Sequence, residues 1–229
     1  METFERKISV APNITISSVW AIPDDYRRTP DLALIIAHGA GNDMHSAFIR
    51  RVHEDLAQRG IMTVKFNFPY KEAGRKAPDR APLLEAAWRA IIAAVSQDTE
   101  LKPMELFISG KSMGGRMATH LTAEGLDCAG VILFGYPLHA PNKTEQLRAE
   151  HLARIKHPML FFQGTRDSLC RLELLKPVLK TIPGAVELHI VEGGDHSFKV
   201  LKRSARSEED VMNEIVDTTV EWMHRTATA

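Results

Sequence analysis

Two cysteines, Cys128 and Cys170, are all that the 229 residues contain. They have no metal-ligand spacing, and both read as reduced thiols of a cytoplasmic protein. Neither charge is in excess: Lys plus Arg and Asp plus Glu are each 29, so the formal net charge is zero. That balance argues against nucleic acid or a strongly charged partner. No apolar run approaches the roughly 18 residues of a membrane helix, and the opening METFERKISV has no apolar h-region, so neither a membrane partner nor a leader is expected. Internal repeats, low-complexity runs and a domain boundary are missing too. The ten histidines are scattered without a ligand pattern, and no metal or other cofactor is expected. What is present is an ordinary share of apolar residues, 44%, and length enough for one domain, residues 1–229, with a substantial core.

Hydrophobic patterning organises the chain. Lys7–Val10 and Ile14–Ala21 read as an antiparallel pair, and Pro23–Asp31 as a polar loop. The continuous run Leu32–Ala37 suits a strand covered on both faces. Ser46–Arg59 places Phe48, Val52 and Leu56 on one helical face, with Gly60 as terminator. Ile61–Phe66 is the next strand, and Asn67–Pro82 a long irregular loop. Then follow a helix (Leu83–Ser96), a strand (Leu106–Ser109), a helix (Ser112–Glu124) and a strand (Gly130–Phe134). A cap-like insertion at about 136–158 leads to a strand (Met159–Gln163), a helix (Leu169–Thr181) interrupted near Pro177, a strand (Val186–Val191) and a closing helix (Glu208–Arg225). Six apolar strands separated by helices predict an α/β fold, a mostly parallel sheet with helices on both faces.

The stretch LFISGKSMGGRMA, Leu106 to Ala118, carries the strongest signal. A strand running into G-x-S-x-G and straight into a helix is a nucleophile elbow. The tight turn strains the serine backbone and lifts its hydroxyl clear of the sheet, while the flanking glycines remove clashing Cβ atoms. Gly110-Lys111-Ser112 also matches the tail of a phosphate-binding loop, but Glu105 stands where the first glycine would be and an apolar strand fills the interval. Nucleotide hydrolysis is rejected.

Ligands of such a sheet gather beyond the carboxyl ends of its strands. Ser112, Asp167 and His196 each follow a strand there, in the order Ser, Asp, His. Asp195 competes for the acid role, but Asp167 lies at the expected strand end. The set predicts nucleophilic acyl transfer, with His196 as base and Asp167 as its orienting acid. An oxyanion hole needs two backbone N–H groups. Met113 supplies one, and the small-residue loop His38-Gly39-Ala40-Gly41 the other, from Ala40 first and Gly41 second. His38 is expected chiefly to brace that loop, and with Tyr70 and Arg75 is a possible substrate contact. Arg116 is expected to hold the elbow by pairing with a carboxylate.

The combination H-G-A-G, F-P-Y, G-K-S-M-G-G-R, G-T-R-D and G-G-D-H-S-F resembles the α/β-hydrolase superfamily along most of the chain. More narrowly it is similar to the small dienelactone-hydrolase-like group, whose domain type an animal subunit of a histone acetyltransferase complex shares. The resemblance implies Ser112 as nucleophile, Asp167 as acid and His196 as base. The expected substrate is an ester or thioester, and less so an amide, of a small acyl group, and the short insertion at about 136–158 implies a minimal cap. Dienelactone hydrolase proper carries a cysteine nucleophile where this chain has Ser112. The relative in a chromatin complex implies the rival reading, a silent scaffold on the same fold.

Overall fold

In a computed structural model, residues 1–26 and 31–228 are described; residues 27–30 of the expected loop Pro23–Asp31 lie outside them. Strands β1 (Glu2–Ala11) and β2 (Ile14–Ile22) form the antiparallel opening pair. Strands β3 (Leu32–Ala37), β4 (Met62–Phe66), β5 (Glu105–Lys111), β6 (Gly130–Phe134), β7 (Met159–Gly164) and β8 (Val186–Val191) follow. All eight make one sheet in the order β1-β2-β4-β3-β5-β6-β7-β8. From β4 to β8 every neighbouring pair is parallel, so their carboxyl ends share one edge.

The pleat sends alternate residues to two cores. Ile35, Ile108, Val131 and Leu133 pack on one face with Trp88, Ile91, Met117 and Leu121, from helices α3 (Ala81–Ser96) and α4 (Met113–Ala123). Leu34, Ile36, Phe107 and Ile132 point the other way. They meet Val52 and Leu56 of α1 (Ala47–Gln58), and Ile215 and Trp222 of α6 (Glu208–Ala227). Burial on both faces is why these strands read as unbroken apolar runs.

Two segments differ from expectation. The stretch Asn67–Pro82 contains a single-turn helix α2 (Pro69–Glu72), and α3 begins early, at Ala81. Both starts use proline in the first turn, where a missing N–H is harmless. Helix α5 is shorter than the pattern suggested, Leu172–Leu179, and it runs through Pro177 rather than breaking there. Between β6 and β7 the expected insertion is an irregular strap whose one regular element is a 3-10 helix, Glu150–Arg154.

Candidate active site

Strand β5 ends at Lys111 and α4 starts at Met113, so the chain reverses within Ser112 alone. Ser112 has φ 51° and ψ −116°, a conformation costing on the order of 1–3 kcal/mol for a residue with a Cβ. Packing holds it there. A Cβ on Gly110 would lie 2.3 Å from Gly115 N, and one on Gly114 would lie 2.6 Å from the His38 carbonyl oxygen. The buried Trp88 indole donates to Gly114 O at 3.2 Å. Each large side chain buried around the turn contributes roughly 2 kcal/mol, which outweighs the strain.

Ser112 Oγ lies 2.8 Å from His196 Nε2, and His196 Nδ1 lies 2.7 Å from Asp167 Oδ2. With a carboxylate at Nδ1, the ring proton sits on that nitrogen and Nε2 is left to accept from the serine. Asp167 is buried, and its other oxygen accepts from the Leu169 N–H at 2.7 Å. Asp195 turns elsewhere. Its carboxylate accepts from the Ser197 and Lys199 amides at 2.8 and 2.9 Å, shaping the loop that carries His196.

His38, which opens the loop, and Tyr70, which faces it, are sealed beneath it, both 0% exposed. His38 Nε2 accepts from the Phe68 N–H at 3.1 Å, so its Nδ1 carries the proton and donates to Gly39 O at 2.8 Å. Burial pushes its pKa down to about 4, keeping this tautomer neutral near pH 7. The Gly39 carbonyl also receives the Asn42 N–H at 3.3 Å and the Tyr70 hydroxyl at 3.5 Å. With that oxygen turned inward and the peptide trans, the Ala40 N–H points outward. Gly39 itself packs on Ser112: a Cβ there would sit 3.4 Å from Ser112 Cβ. Gly41, at φ 79°, completes the turn. Met113 N–H belongs to the first turn of α4, where no preceding helical carbonyl serves it.

These distances sit in a sheet of known kin. The alpha/beta hydrolase domain model matches residues 30–224. The chain belongs to the alpha/beta hydrolase domain family. It is 32% identical over 114 residues, half of its length, to ABHD14B of Pongo abelii, a candidate protein-lysine deacylase. It is 27% identical over 195 residues, 83% of its length, to a candidate phosphoribosyl transferase of Mycobacterium tuberculosis strain H37Rv. The matches span 51% and 41% of those two relatives. The crystal structure of dienelactone hydrolase from Anabaena variabilis superposes with a TM-score of 0.79 at 19% identity, covering 98% of this chain and 97% of that one.

Other members of this alpha/beta hydrolase's site were not singled out by pattern. Gln163, the last polar residue of the apolar run on β7, is fully buried. Its amide donates to Asp167 Oδ2 at 2.5 Å, and its oxygen accepts from the Tyr136 N–H at 3.0 Å. Lys111, between an apolar strand and the serine, is also buried, and its ammonium donates to the carbonyl of His196. Burial pushes its pKa down to about 8, against the opposing pull of Asp167 and Asp195. The signal for both was a polar residue at the end of an apolar strand.

One expectation is corrected. Arg116 has no carboxylate within 4 Å among the described residues, and the elbow is held by glycine packing and Trp88 instead. Arg75 is exposed and pairs with Asp79 at 2.5 Å. Among the described residues no three of His, Cys, Asp or Glu are gathered as a metal ion would require.

Proposed function

We propose that this chain is a single-domain, cofactor-independent serine hydrolase acting on an ester or thioester of a small acyl substrate. The observation that carries the reading is the hydrogen-bonded run Ser112 Oγ, His196, Asp167, at 2.8 and 2.7 Å. His196 Nε2 takes the hydroxyl proton as Ser112 Oγ attacks the acyl carbon. Asp167 Oδ2 holds the imidazolium that forms. Negative charge on the carbonyl oxygen is received by the Met113 and Ala40 amides, with Gly41 beside them. Each donor is worth about 3 kcal/mol of barrier. His196 then gives its proton to the leaving oxygen or sulfur, and water releases the acyl group by the same steps.

An ester or thioester is favoured over an extended peptide because the segment between β6 and β7 is a short strap. The unbridged Cys128 and Cys170 accord with a cytoplasmic setting, and no helix among the described residues is long and apolar enough to cross a membrane.

The test is hydrolysis of p-nitrophenyl acetate together with labelling by a fluorophosphonate. The wild type reacts with both, and Ser112→Ala loses several orders of magnitude in kcat and all labelling. A Ser112→Ala protein as fast as the wild type would overturn the mechanism. A folded wild type that stays unlabelled would mark an inert scaffold.

A further inference from the structure

Helix α4 and the strap enclose a groove of about 430 Å³ whose lining the hydrolytic chemistry does not use. Arg116 stands on α4 one turn past Ser112, and Arg148 and Arg154 stand on the strap, just before and at the end of the 3-10 helix. Among the described residues none of these three guanidinium groups has a carboxylate within 4 Å. Two acidic side chains share the lining. Glu124 is taken by Arg89 at 2.5 Å, which leaves Glu150 alone against three cations.

The groove is built rather than incidental. Arg116 Nε and His120 Nε2 are buried without a hydrogen-bond partner among the described residues, and leaving such groups unpaired costs about 1–3 kcal/mol each. Backbone contacts hold the arginines in place. The Tyr136 hydroxyl donates to Arg148 O at 2.6 Å, and the Arg148 N–H donates to Leu138 O at 2.7 Å. Thr119 gives its hydroxyl proton to Arg116 O at 2.7 Å and lies 2.8 Å from His151 Nε2. The His120 and His151 rings meet edge to face at 4.3 Å. Burial first, and then His120, Arg116 and Arg154, push His151 down to about 3, so this ring adds no charge. Leu147, 37% exposed, supplies an apolar wall.

We propose that this groove binds an organic oxyanion, a carboxylate or phosphate carried on a small apolar body. Guanidinium forks match the paired oxygens of either group, and Leu147 covers the carbon skeleton. Binding there does not depend on hydrolysis at Ser112.

The experiment titrates the full chain with inorganic phosphate and, separately, with succinate, at fixed ionic strength because salt screens such contacts. Calorimetry reads affinity, and the imidazole NMR signals of His120 and His151 report location. Saturable binding of either anion is expected, with shifts confined to those two rings. The double variant Arg148→Met, Arg154→Met should lose about tenfold or more in affinity, the equivalent of one charge-assisted hydrogen bond. Both side chains are exposed, so folding is retained and circular dichroism checks it. Arg116→Gln provides a second variant, with the same loss expected. Binding of phosphate alone narrows the ligand to a phosphate group, and of succinate alone to a carboxylate; Ser112→Ala should bind as the wild type does. The proposal is overturned if neither anion saturates below about 10 mM, or if the double variant binds with wild-type affinity.

Discussion

The Lys111 ammonium donates to the backbone carbonyl of His196, so a buried cation beside the serine holds the loop that presents the histidine. Phe48 and Phe198 face the same ammonium, with Nζ 5.9 and 4.9 Å from their ring centroids. Lys111→Met removes the tether and the buried charge together. Relief of desolvation and loss of a hydrogen bond are each worth about 1–3 kcal/mol and oppose each other. Thermal stability should therefore change little, while kcat on p-nitrophenyl acetate falls by roughly tenfold or more. Unchanged kcat would show that the loop holds His196 unaided.

Gly135 closes the other side of that tether. Its φ is 69°, and a Cβ there would lie 2.7 Å from Lys111 Nζ and 3.5 Å from His196 Nδ1. Under the proposed mechanism Gly135→Ala should lower kcat on the order of 10²-fold, the effect expected of displacing His196 by about 1 Å. Gly125→Ala is the control. It shares a positive φ, 95°, with nothing within 4 Å of its Cβ, and should lose stability only. Equal kinetic losses in the two proteins would refute the crowding argument.

Gln163 donates to Asp167 while accepting from Tyr136 N–H. Gln163→Leu leaves that amide unpaired at a cost of about 1–3 kcal/mol and frees the carboxylate to turn. The urea midpoint should drop, and kcat should fall about tenfold with KM nearly constant. A change in KM alone would assign Gln163 to substrate binding instead.

Acid should weaken the fold before its carboxylates titrate. Burial depresses His38 to about 4 and His53 to about 3, from 6.5. A depressed histidine pKa means that the unfolded chain binds more protons below pH 6.5, so stability is full above that value and is lost as pH falls toward the folded pKa. Each histidine should remove about 2 kcal/mol between pH 7 and pH 5. His151, also pushed down to about 3, adds to the same loss; urea unfolding at the two pH values measures the total, and a loss under about 1 kcal/mol would contradict the burial of these rings.

Much of this molecule could be read from order along the chain. Runs such as Leu32–Ala37 and Gly130–Phe134 appear as strands because both faces are covered, and a covered strand has no polar alternation to blur it. The elbow was legible because a strained single-residue turn demands small neighbours at fixed offsets, and Gly110, Gly114 and Gly115 are those neighbours. Helix ends and the strap were less legible, since proline placement and local hydrogen bonds decide them over one or two residues.

The sequence by itself determined the parallel sheet, the turn at Ser112 and the order in which Ser112, Asp167 and His196 reach one edge. Those features depend on periodicity and short spacing, which a linear string preserves. Only the tertiary structure decided that Lys111 and Gln163 hold the two ends of the His196–Asp167 pair, and that Arg116 faces a groove with Arg148 and Arg154 rather than a carboxylate. These are contacts between distant segments, set by strand order and by which side of each strand end a side chain leaves.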